Sequence, residues 1–275
     1  MRRCASGDLL DRDLVVAMYL DVQRRIQLAE SLAGVGDTVY FGPEAEFFIF
    51  DDVRFNADPY NTGFRVDSSE LPSNSGTEYE MGNMGHRPGV KGGYFPVPPV
   101  DSLHDIRSAM CNVMEEMGVP VEVHHHEVAT AGQCEIGTRF NTLVAKADEL
   151  LNMKYVVHNV AHLAGKTATF MPKPFDGYNR NAFHIHLSMQ DVDGNNLFYQ
   201  ADSDDGLSEL AKQFIAGILK YGREASIIMA SSYNSYKAYV LEREAPVVRG
   251  WGFANRSSMV RIPYCATPES TRIEL

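Results

Sequence analysis

The 275-residue sequence predicts an α+β fold in which a largely antiparallel sheet is flanked by helices. Alternating apolar and polar positions, the pattern of strands with one buried face, recur in TVYFGPEAEFFIF, VPVEVHHHEVA and NAFHIHLSMQ. Stretches with helical spacing lie between them. The strands come in groups rather than in strict alternation with helices, which favours α+β over a doubly wound parallel sheet.

The elements follow in order. Leu14, Met18, Val22, Ile26 and Ala29 share one face of a helix over residues 11–33, which Gly34 and Gly36 stop. TVYFGPEAEFFIF is the first strand. Residues 56–93 are rich in Asn, Gly, Pro and Ser and predict an irregular region, of a length that usually serves function or a lid. YFPVPPVDS is extended, because each proline biases its predecessor away from the helix. Ser102 predicts the N-cap of a helix to Glu116, with Gly118 as its stop. VPVEVHHHEVA and QCEIGTRFNTLV predict two strands joined by a turn at Gly132. A helix over 145–164 precedes the strand NAFHIHLSMQ, and DVDGNN turns the chain into NLFY as a hairpin. Residues 206–230 are helical, and the last 30 residues alternate short strands and loops. No repeat or low-complexity segment interrupts the order.

The chain is 44% hydrophobic and 22% charged, enough to build a core. Its net charge is −11 and no basic cluster stands out, which argues against a nucleic-acid partner. Cys4, Cys111, Cys134 and Cys265 form no CxxC pair, as expected in a reducing compartment. No signal peptide and no run of about 20 apolar residues is visible, so the expectation is a cytoplasmic protein without a membrane partner.

Chemistry concentrates in four places. In FGPEAEFFIF, Glu44 and Glu46 lie two apart and share one face of an apolar strand. Two like charges there are costly unless a cation compensates them. In HHHEVATAGQCE, His124 and His126 share one face and His125 and Glu127 the other, while the turn at Ala131–Gly132 returns Glu135 alongside Glu127. FHIH puts His184 and His186 on one face, and Glu274 closes the chain in the apolar stretch RIEL. Five glutamates and a histidine select Mg²⁺ or Mn²⁺ rather than Zn²⁺. Six ligands suffice for two or more ions, the usual equipment of phosphoryl transfer.

These stretches resemble type I glutamine synthetase. FGPEAEFFIFDDVRF, NMGHRPGVKGGYFPVPPVDS, EEMGVPVEVHHHEVATAGQCEIGTRFNTL and KTATFMPKP carry the resemblance, and NSYK, EAPV, NRSSMVRIP and RIE continue it. It implies an α+β catalytic domain whose antiparallel sheet lines a funnel-shaped site. It also implies homo-oligomeric rings with each site between neighbouring subunits. The implied reaction ligates ammonia to glutamate, with ATP as co-substrate, through γ-glutamyl phosphate.

By position, the resemblance assigns Glu46, Glu127 and Glu135 to one cation and Glu44, His184 and Glu274 to a second. Glu122, Phe140, His186, Ser188, Arg256 and Arg261 match nucleotide-contacting positions. Asn179 and Arg180 fall in the loop that meets the substrate amino acid. Glu244 matches a flap residue that helps deprotonate ammonium, and Arg256 a guanidinium that stabilises the transferring phosphoryl group.

The resemblance places residues 1–36 as the remnant of what precedes the catalytic domain, and 37–275 as that domain, incomplete at its C-terminus. It implies a β-grasp domain ahead of Met1 and an arginine just past Leu275. The sequence departs from the family's pattern at Arg180, where a glycine is expected, at Ala238, where an arginine is expected, and at Glu269, where a lysine is expected. A side chain at 180 is expected to obstruct the substrate's approach. Two other readings keep the metal ligands: a γ-glutamyl-amine ligase of the same family, marked by the altered surroundings of Arg180 and Ala238, and a catalytically silent metal-binding relative.

Overall fold

Strand β1, Thr38–Phe50, organises the fold. The computed structural model describes residues 36–71, 85–129, 132–230, 232–239 and 246–275. The helix expected over 11–33 and Glu244, expected in a flap, lie outside them. Four strands pair with β1: β5 (Gln133–Thr138), β6 (Asn141–Thr142), β7 (Thr167–Thr169) and β8 (Phe183–Gln190), all antiparallel. Beyond β5 lies β4 (Val121–His126). Beyond β8 lie β11 (Ile273–Glu274), β10 (Ser258–Ile262) and β9 (Val248–Phe253), in that order. Only β9 and β10 run parallel among these described pairings, so the sheet is largely antiparallel as the sequence predicts.

Alternation along β1 divides the molecule into two layers. Ala45, Phe47 and Ile49 point into a core covered by α1 (His104–Glu116) and α2 (Leu143–Leu163), which contribute Met110, Met114, Val156, Val157 and Ala161. Each of the larger side chains among them contributes on the order of 1.5–3 kcal/mol by leaving water. A second core joins α3 (Glu209–Met229) to β8, β10 and β11 through Ile215, Met189, Val260, Ile262 and Ile273. The opposite face of β1 carries Glu44 and Glu46, and ends in a stack of Phe48, Phe50 and Phe175.

Several elements differ from expectation. Running into the region read as irregular, β2 (Asp52–Asp58) and β3 (Asn61–Asp67) form a hairpin whose aligned pairs include Phe55 with Phe64. Both aromatics are exposed. Ser102 does not cap α1; Leu103 occupies that position, and the Ser102 hydroxyl donates to Glu70 Oε1 at 2.8 Å. The strand read through Val144 ends at Thr138, and after the short β6 the chain enters α2 at Leu143. The turn after β8 returns through isolated bridges, Gln190–Asn196 and Tyr199–Leu207, rather than a full hairpin. Ser208 caps α3 by accepting from the Ala211 N–H at 3.1 Å, and a one-turn helix α4 (Tyr233–Tyr236) follows. Cys111, Cys134 and Cys265 are free thiols, and among the described residues no helix is long and apolar enough to cross a membrane.

Candidate active site

Register lines up the polar face. Glu46 pairs with Glu135, which pairs with His125 on the next strand. One step along β1, Glu44 pairs with His184. One step further, Gly42 pairs with His186, which pairs with Glu274, which pairs with Arg261. Antiparallel pairing sets partners side by side on the same face. Two neighbouring clusters result, one around Glu46 and one around Glu44.

In the first cluster, ligand-capable atoms of His125, Glu127 and Glu135 lie within 4.8 Å of one another. His125 Nδ1 is 3.6 Å from Glu127 Oε1, and its Nε2 is 3.6 Å from Glu135 Oε1. Glu46 adjoins them, and its Oε2 accepts from Gln133 Nε2 at 2.7 Å and from the Ala182 N–H at 2.8 Å. Burial pushes the Glu46 carboxyl well above the usual range, and the charge of Glu127 adds to it. Burial also raises Glu127, helped by Glu135 and opposed by the Val128 N–H. A bound cation would relieve both, and three carboxylates with one imidazole suit a hard divalent ion. The residues fit the implied metal on these grounds.

Sequence reasoning did not single out His125 as a ligand candidate. The signal was its shared face with Glu127; the structure sets it directly opposite Glu135. Beneath this cluster, His126 Nε2 lies 2.7 Å from Glu70 Oε2 and Nδ1 lies 2.7 Å from the Glu127 carbonyl. The Glu127 carbonyl only accepts, so Nδ1 carries a proton; a second proton on Nε2, which faces the Glu70 carboxyl group, makes the ring an imidazolium. Burial opposes that charge, but Glu70 outweighs it and holds the ring's pKa up. Gly93 packs so closely here that a β-carbon would lie 2.4 Å from the Glu127 carbonyl.

In the second cluster, His186 Nε2 donates to Glu44 Oε1 at 2.8 Å, while Arg272 Nε donates to His186 Nδ1 at 3.2 Å. His184 Nδ1 is 3.6 Å from Glu44 Oε2 and 3.8 Å from Glu274 Oε1. Arg261 donates to Glu274 Oε2 at 2.6 Å. Burial would raise the Glu44 carboxyl, but hydrogen bonds from His184 and His186 overcome it and hold it far below the ordinary carboxylate range. The Arg256 guanidinium lies 6.0 Å over the Tyr94 ring, which favours its charged form, and its charge acts on both Glu274 and Glu127.

Of the other expected site residues, two flank Tyr40 on the same face. Phe140 packs edge-on against Tyr40 at 5.1 Å, and Ser188 pairs with Tyr40 from the other side. Glu122 is on the exposed rim beside Arg139 Nε, 3.5 Å away. Asn179 is buried. The charge of Arg180 acts on Glu46, and its buried Nε has no hydrogen-bond partner among the described residues. Ala238 is buried, and Glu269 is on the exposed 3₁₀ turn Pro268–Ser270.

Residues 22–275 match the family described as glutamine synthetase, catalytic domain. The chain belongs to the glutamine synthetase family. Among its curated relatives, glutamine synthetase of Methylococcus capsulatus is 56% identical over 254 residues, covering 92% of this chain and 54% of that protein. Glutamine synthetase of Rhizobium meliloti is 56% identical over 271 residues, covering 98% of this chain and 57% of that protein. The chain thus spans about half the length of the curated relatives it matches. Among solved structures, a cryo-electron microscopy structure of Plasmodium falciparum glutamine synthetase superposes with a TM-score of 0.82 at 30% identity, covering 92% of this chain and 50% of that one. GmaS without ligand superposes with a TM-score of 0.66 at 26% identity, covering 91% and 52%.

Proposed function

We propose that this chain carries the catalytic face of an ATP-dependent ligase that joins ammonia to glutamate through γ-glutamyl phosphate. The order of groups along β1 carries the reading. Tyr40, flanked by Phe140 and Ser188, marks one end; Glu44 and then Glu46 follow; the segment from Asn179 to Ala182 meets Glu46 at the other. Successive same-face residues are about 7 Å apart, so the row spans roughly 20 Å. That is room for a nucleotide at the Tyr40 end and an amino acid at the Arg180 end, with the carboxylate clusters between them.

Glu46, Glu127 and Glu135, joined by His125, would hold one divalent ion, and Glu44, His184 and Glu274 the other. Mg²⁺ or Mn²⁺ in these places supplies charge neutralisation to phosphate oxygens. The protein's own part is positioning and electrostatics. Phe140, with Glu122, His186, Ser188 and Arg261, positions ATP. Asn179 and Arg180 orient glutamate so that its γ-carboxylate attacks the γ-phosphorus of ATP and ADP leaves. Arg256, whose charge acts on both clusters, stabilises the charge on the transferring group. Ammonia then attacks the acyl carbon and phosphate departs. Glu244 takes the proton from ammonium, and closure over the intermediate excludes water. The ring assembly and a cytoplasmic setting belong to the same proposal, as does residues 37–275 forming one catalytic domain.

The test is phosphate release from ATP in the presence of Mg²⁺. Release should require glutamate, with glutamine formed in step when ammonium is added. Arg256→Ala should lower kcat about 100-fold or more, the usual consequence of removing a donor aimed at developing charge. Phosphate release that ignores glutamate would overturn the reading.

A further inference from the structure

We propose that Gln133 is a positioning residue: one buried amide that fixes which oxygen of Glu46 is left for a cation and ties that carboxylate to the segment expected to meet the amino acid. The inference rests on the metal and amino-acid assignments above.

Gln133 is 1% exposed, and its groups are fully engaged. Its Nε2 has two hydrogens and two near acceptors, Glu46 Oε2 at 2.7 Å and the Arg180 carbonyl at 2.7 Å, with Asn181 Oδ1 farther off at 3.3 Å. Its Oε1 accepts from the Ala129 N–H at 3.0 Å. This orientation of the amide is forced. Turned over, Oε1 would face a carboxylate and a carbonyl, and Nε2 would face a donor. The main chain adds a further link, because the Gln133 carbonyl accepts from the Glu127 N–H at 2.8 Å. One residue therefore touches Glu46 by its side chain, Glu127 by its backbone, and stands two positions before Glu135.

The consequence is directional. Glu46 Oε2 already accepts two hydrogen bonds, from Gln133 and from Ala182, and only Oε1 remains to meet an ion. The same amide that consumes Oε2 anchors the Arg180 carbonyl. A shift of the Glu46 carboxylate toward a cation is thereby passed to residues 180–182 through a single rigid group. Partners that orient ligating carboxylates typically matter 10–100-fold for metal affinity.

Mn²⁺ titration of the full chain by calorimetry tests this, with Gln133→Met and Glu44→Gln compared side by side. Met keeps the length and volume of Gln and removes the donor. Wild type should show two classes of site. Gln133→Met should weaken one class about tenfold or more and spare the class that Glu44→Gln removes. A merely structural role would lower thermal stability and leave both affinities alone, or weaken both alike; either result overturns the proposal. If wild type binds no Mn²⁺, the metal assignment fails first and the proposal falls with it. If Gln133→Met does not fold, hydrogen exchange on wild type decides. Mn²⁺ should then slow exchange of the Asn181 N–H, which donates to the Pro172 carbonyl and touches no carboxylate. Exchange unchanged at Asn181 would refute the coupling.

Discussion

Replacing His126 by alanine should be among the costliest single changes in the molecule. The ring is completely buried, and Glu70 is 2% exposed. Removing the ring leaves the Glu70 carboxyl group, among the described residues, with the Ser102 hydroxyl, 2.8 Å from its other oxygen, and leaves the Glu127 carbonyl without its 2.7 Å donor. Stranding one member of a buried ion pair costs about 3–5 kcal/mol. The vacated volume adds to that, so the loss approaches the whole stability of a marginal domain, about 5–15 kcal/mol. The assay is urea unfolding of wild type, His126→Ala, Glu70→Leu and the double variant. The double variant should recover part of the loss, because no charge is left stranded, and the cycle should give a coupling of about 1–3 kcal/mol. A His126→Ala cost below about 1 kcal/mol, or singles that simply add, would refute the ion-pair reasoning.

Two further predictions follow from the same geometry. Asp101 accepts from the fully buried Arg107, and although burial opposes its ionisation, the guanidinium holds the carboxyl below its ordinary value. A lowered carboxylate pKa gives stability that is present above the unfolded value of about 3.9 and lost as pH falls through the folded one. Unfolding free energy should therefore drop as the pH is lowered through that window, and Asp101→Asn should remove this part of the slope while lowering stability at pH 7 by about 3 kcal/mol. At Glu46, whose carboxyl is raised by burial, Glu46→Gln should raise the melting temperature of the metal-free chain. It should also abolish most of the stabilisation by Mn²⁺, which at 100 times Kd amounts to about 2.7 kcal/mol in a chain that binds it.

Much of the sheet was legible because its strands have one dry and one polar face. β1 begins and ends where the alternation in TVYFGPEAEFFIF does. The β2–β3 hairpin was not, because only its base, at Val53 and Val66, is covered: Phe55 and Phe64 are exposed, and polar residues and turn formers dominate its composition. The stretch RFNTLV has β-prone residues, but Leu143 opens a helix that packs on the core, and packing overrides propensity. At the site, parity within HHHE was enough to set His125 beside Glu127. Glu70 and Gln133 escaped notice because their roles rest on contacts 56 and 87 positions away, with His126 and Glu46, and no local pattern encodes those.

The carboxylates and the core of β1 are written on alternate letters of the same thirteen residues. A slip of one position would press Glu44 and Glu46 into the space of Ala45 and Phe47 and turn Phe47 and Ile49 out of their core. Folding correctly and lining up the carboxylates are thus one event, with no register in which the chain is folded and the cluster only half made. An insertion or deletion within these thirteen positions should be purged as a folding failure before it could ever be tested as a change in chemistry.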